Sequence, residues 1–131
     1  MFQLTRAWAR VVLIGSGLVL LAGCASLQRP DVERVAAEFA GGDPAARCAL
    51  LAPATVAAVE RTASATCAQV VAGLAPSDAQ VLGAAVWGDA AQVRTGADTL
   101  FLTRTSAGWK VAAAGCAPQG DAPYECEVDG P

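Results

Sequence analysis

The segment that most constrains this chain lies at its start. Val11 to Ala22 reads VVLIGSGLVLLA, uncharged and with Ser16 as its one polar side chain. Arg6 and Arg10 precede it. A helix that crosses ~30 Å of hydrocarbon needs roughly 20 apolar residues, so this run is too short to span a bilayer. A basic start followed by a short apolar stretch suits a secretory signal. A buried core helix is the competing reading. Gly15, Ser16 and Gly17 in mid-run weigh against it, as does a basic flank at one end only. The folded part is therefore expected to begin after this run.

The run closes in Leu21-Ala22-Gly23-Cys24. This resembles the bacterial lipobox: Leu, two small residues, then Cys. The resemblance implies a diacylglyceryl group on the Cys24 sulfur and cleavage by signal peptidase II between Gly23 and Cys24. Residues 1–23 would then be a lipoprotein signal peptide. Small residues let a peptidase approach the backbone, and a thiolate is a strong nucleophile for accepting a lipid. The plainer alternative is an ordinary secretory cut that leaves Cys24 as a free thiol. Each buried acyl carbon contributes about 0.8 kcal/mol, and stable anchoring takes two signals, which two chains of the palmitate kind supply. The expected location is the extracytoplasmic face of a cell membrane. Ala25, rather than Asp, follows the cysteine, so the signal associated with inner-membrane retention is missing.

Without residues 1–23, Cys24 to Pro131 remain, 108 residues and one domain by length. Seven Lys and Arg then face all twelve Asp and Glu, a net charge of −5. That balance argues against nucleic acid as a partner and against an electrostatic grip on anionic lipid. If Cys24 carries lipid, Cys48, Cys67, Cys116 and Cys126 are left. An even set in a small exported domain suggests disulfides. Four cysteines allow three connectivities. The local pairs Cys48–Cys67 and Cys116–Cys126 are favoured because each falls within one structural neighbourhood. A zinc site would need closer ligand spacing, and the chain has no CxxC and no histidine. No metal or cofactor is expected.

Residues 24–30 read as a lipidated tether, at most about 20 Å when extended. Residues 31–131 read as a single α+β domain. Asp31 is expected to open a helix with Val32, Val35, Ala36 and Phe39 on one face, ended by Gly41-Gly42. Asp43-Pro44 starts a second helix with an N-cap and a first-turn proline. Pro53 to Arg61, with Val56 and Val59 inward, is a third, and Ser64 to Leu74 adds a turn or two. After Pro76 the period changes to two. Strands are expected at 81–87, 91–95, 99–105 and 109–113, joined by short turns into an antiparallel meander. Gly115 to Pro131 reads as an irregular tail folded back by Cys116–Cys126. Helices first and strands after is the α+β order.

The run DTLFLTRTSAGWKVAAAGCAP, then PYECEVDG, together with GDPAARCALLAP and Cys67, looks like small actinobacterial-type lipoproteins with a nuclear transport factor 2-like (SnoaL-like) fold. The resemblance covers nearly all of residues 24–131. It implies helices packed into the concave face of a curved four-stranded antiparallel sheet, a cone stapled by disulfides. It brings no established activity.

A non-catalytic envelope module that binds a protein partner or a small apolar ligand is therefore the expected function. A SnoaL-like isomerase or cyclase is the alternative. That fold can use an acid, a tyrosine or a histidine in its cavity, and this chain has one tyrosine, Tyr124, in the disulfide-tied tail. Asp89 and Asp98 fall in hairpin turns, where Asp is a turn former, and Asp78 reads the same way. No acid falls on an apolar strand face, so no catalytic residue is expected. Arg94 and Arg104 lie on polar faces of adjacent strands and could meet, as a solvated patch or an anion-binding spot. Trp87 and Trp109 are core residues or cavity walls.

Overall fold

The structure, a computed structural model, describes residues 19–74, 80–96 and 98–131. Residues 1–18, most of the segment expected to be a signal peptide, and Asp78 lie outside the described residues. Four helices precede five strands: α1 (Val19–Gly41), α2 (Pro44–Leu50), α3 (Pro53–Ala63), α4 (Cys67–Ala72), β1 (Val81–Trp87), β2 (Ala90–Thr95), β3 (Thr99–Thr105), β4 (Gly108–Gln119) and β5 (Ala122–Asp129). The strands form one antiparallel sheet in chain order. The α+β class holds, but the sheet has five strands rather than four.

The first helix also departs from expectation. Residues 24–30 are helical and not extended, because α1 runs through Pro30. Proline disfavours a helical conformation in the residue before it, which made Asp31 look like the helix start. The helix nevertheless continues through Pro30, which removes one i→i−4 hydrogen bond from it. The i, i+4 pair Arg29–Glu33, at 2.9 Å, brackets that turn. Beyond it, Val32, Val35, Ala36, Phe39 and Ala40 form the buried stripe against the sheet.

The fifth strand was hidden by Pro118, Gly120 and Pro123. Period two is nevertheless present there: Tyr124, Cys126 and Val128 alternate with exposed Glu125, Glu127 and Asp129. The prolines are tolerated because of where they sit. Pro118 lies past Cys116, the last β4 residue registered against β3, and Pro123 is on the edge strand, where a ladder N–H is dispensable.

The core is the helix-facing side of the sheet. Ala91, Val93, Leu100, Leu102, Val111, Ala114 and Val128 are buried there. Two register shifts between β3 and β4 disturb this surface. At the first, β4 carbonyls turn to the helices: Ala52 N–H donates to Val111 O (2.8 Å), and Thr55 Oγ1 and Gly130 N–H both donate to Ala112 O (3.0 and 3.1 Å). A Cβ on Gly130 would collide with the Thr55 hydroxyl, so a residue without a side chain is required at this approach.

Arg47 ties the helices together from inside. It is only 9% exposed. Its Nε donates to Phe39 O (2.9 Å), one terminal nitrogen to Ala40 O (2.8 Å) and the other to Val71 O (3.4 Å). A cation at the C-terminal ends of α1 and α4 satisfies orphan carbonyls and complements both helix dipoles. Nearby, Cys48–Cys67 links α2 to α4, and Cys116–Cys126 links directly opposed residues of β4 and β5. Each bridge adds roughly 3 kcal/mol by restricting the unfolded chain.

Candidate functional site

The helices cover one face of the sheet. Alternation places Gly83, Ala85 and Trp87 of β1, Gln92 and Arg94 of β2, and Phe101 and Thr103 of β3 on the other, in register across the strands. Trp87 is 52% exposed, whereas Trp109 lies in the core at 6%. The sequence left both tryptophans between core and cavity wall; in the structure only Trp109 is internal. Its Nε1 is buried without a hydrogen-bond partner among the described residues.

Tyr124 also belongs to this uncovered face. Its ring meets Phe101 edge-on, with centroids 5.2 Å apart, and its hydroxyl accepts from Gln92 Nε2 at 3.2 Å. Two strands separate β2 from β5, which would put them about 14 Å apart in a flat sheet. The contact therefore requires the β4–β5 ribbon to curl over the uncovered face. Gly115, at φ +65°, sits at the second register shift, where that curl begins.

Asp98 holds this corner. One carboxylate oxygen accepts from Gly115 N–H and the other from Cys116 N–H, both at 3.0 Å. The sequence marked Asp98 as a turn former, which it is, through its backbone and Thr95. Its carboxylate has a second role that turn chemistry did not reveal. Asp89 is simpler: it lies in the β1–β2 turn, where its carbonyl accepts from Arg104 N–H.

Arg94 and Arg104 do not meet. Arg94 is opposite Thr99 and Arg104 is opposite Trp109, so they lie five β3 positions, about 17 Å, apart. Arg104 lies over the Trp109 ring, 5.7 Å from its centroid. Arg94 instead shares a groove of about 220 Å³ with Arg29 of α1, floored by Gly83, Ala84 and Ala85 and bounded by Gln92. A second, more open groove is lined by Tyr124, Cys126, Gly115, Ala117 and the acids Glu125, Glu127 and Asp129.

Cys24 lies on α1, exposed and outside both disulfides. No helix among the described residues is long and apolar enough to cross a membrane, and no cluster of three metal-ligating side chains occurs among them. No protein-family model, curated protein or solved structure matches the chain.

Proposed function

We propose that this is a lipid-anchored extracytoplasmic protein of the cell envelope, a non-catalytic binding or accessory module. The supporting observation is Cys24. It follows Leu21-Ala22-Gly23, and the other four cysteines are consumed in pairs. Disulfides suit an oxidising compartment. After cleavage before Cys24, the anchor would be the first residue of a helix. Buried Val32 lies eight residues after Cys24, a rise of about 12 Å. The domain would therefore stand on a stiff spacer close to the bilayer. In this reading the partner is an envelope protein reached over the uncovered sheet face, and nucleic acid is no partner. The curved-sheet cone of the nuclear transport factor 2-like proteins remains part of the proposal, supported by helices gathered on one face of a bent antiparallel sheet.

The enzymatic alternative rests on Tyr124, whose hydroxyl is engaged by Gln92.

The test is intact-mass analysis of the protein extracted from membranes of expressing cells. The expected species begins at Cys24 and carries the mass of acyl chains. A Cys24→Ala chain should be uncleaved at this point and unlipidated. A wild-type product with an unmodified Cys24 would refute the anchor.

A further inference from the structure

We propose that the groove between α1 and the β1–β2 hairpin is a binding site for a phosphate-class oxyanion, held by Arg29 and Arg94. Two arginines line one small concavity, with the Arg94 guanidinium lying beside Gly83, although the part of the chain after Gly23 carries a net charge of −5. Arg94 makes no ion pair with any described carboxylate. Arg29 gives its Nε to Glu33 at 2.9 Å, which leaves its two terminal nitrogens for a ligand. Glu33 is thus one negative charge beside two positive ones, and an anion would close the balance.

The floor suits such a ligand. Gly83 and Ala85 stand beside Arg94 and Gln92 on the paired strands, and a Cβ on Gly83 would come within 3.3 Å of Arg94 Nη2. Small side chains here leave the guanidinium lying along the sheet with its donors accessible. Gln92, which donates to the Tyr124 hydroxyl, forms one wall. Arginine presents a planar fork of donors that matches phosphate oxygens in pairs. The sequence offered Arg94 and Arg104 as an anion spot. The structure replaces Arg104 with a residue distant in sequence.

The oxyanion can come from a lipid headgroup or from free phosphate. Arg29 lies five residues after Cys24 on the same helix, a rise of about 7.5 Å. The headgroup source rests on anchoring through Cys24; the groove itself does not.

The full chain in neutral detergent, as Cys24→Ala so that lipidation plays no part, should be titrated with inorganic phosphate by calorimetry. Saturable binding is expected, weakened at least tenfold by Arg94→Gln and by Arg29→Gln and unchanged by Arg104→Gln. Absence of saturable binding, or equal loss in Arg104→Gln, would overturn the site. Thermal melts of each variant should match the parent, because these side chains are exposed. The same chain is then mixed with phosphatidylglycerol or phosphatidylcholine vesicles. Preference for phosphatidylglycerol that disappears in Arg94→Gln identifies the headgroup as the source. Phosphate binding without vesicle preference identifies the free ion.

Discussion

The two edges of the sheet are built on opposite lines. β1 reads VLGAAVW, without a charge, and leaves Leu82 and Trp87 more than half exposed. β5 reads APYECEVD, alternates acids outward, starts beside a proline and is crosslinked to its neighbour. An unpaired strand edge is a template for unwanted pairing, and charge, proline and bends are the usual defences. β5 has all three. β1 has α1 packed against it and a bulge near Leu82. The difference shows which edge the chain protects by local composition and which it leaves to a neighbouring element.

The largest expected effect is at β5. Replacing Cys116 and Cys126 together with Ser should lower stability by about 3 kcal/mol and remove hydrogen-exchange protection from Ala122–Asp129 while sparing Val81–Trp87. Equal loss at both edges would mean that the ribbon and β1 unfold as one unit. Next is Asp98→Ala, which leaves the amides of Gly115 and Cys116 without their acceptor. A loss of about 2 kcal/mol is expected in chemical denaturation, with restoration of part of it by Asp98→Asn. Tyr124→Phe keeps the ring contact with Phe101 and removes only the bond from Gln92, so about 1 kcal/mol or less should be lost. The smallest stability effect is expected at the other edge. Leu82→Lys should change stability by less than about 0.5 kcal/mol yet reduce light scattering in concentrated solution. Glu125→Val with Glu127→Val should raise that scattering. If scattering follows neither substitution, edge composition does not govern association in this protein.

Much of this contrast could be read from local pattern. The stripe Val32, Val35, Ala36 and Phe39 follows helical period, and Asp43 caps α2 by accepting from Ala46 N–H as its position suggests. The first four strands follow period two between turn residues. Both disulfides join cysteines that are near in sequence. β5 was obscured because proline and glycine signal a break without saying whether the strand lies on an edge. Pro30 misled for a related reason, since its cost depends on what the helix packs against.

The candidate groove was half visible. Arg94 was marked, but its neighbour was taken from the adjacent strand, where register puts Arg104 at the far end. Arg47, Asp98 and Arg29 carried no sequence signal of their tertiary roles. Each acts on residues from other elements: carbonyls at two helix ends, amides of a bulge, and a groove beside a distant hairpin. The sequence by itself determined the apolar run near its start, the helices after Asp31, the first four strands and the alternation of their faces, because those depend on neighbours a few residues away. Only the tertiary structure decided the curl of the ribbon, the buried cation and the pairing of Arg29 with Arg94, because these depend on how separate elements are placed in space.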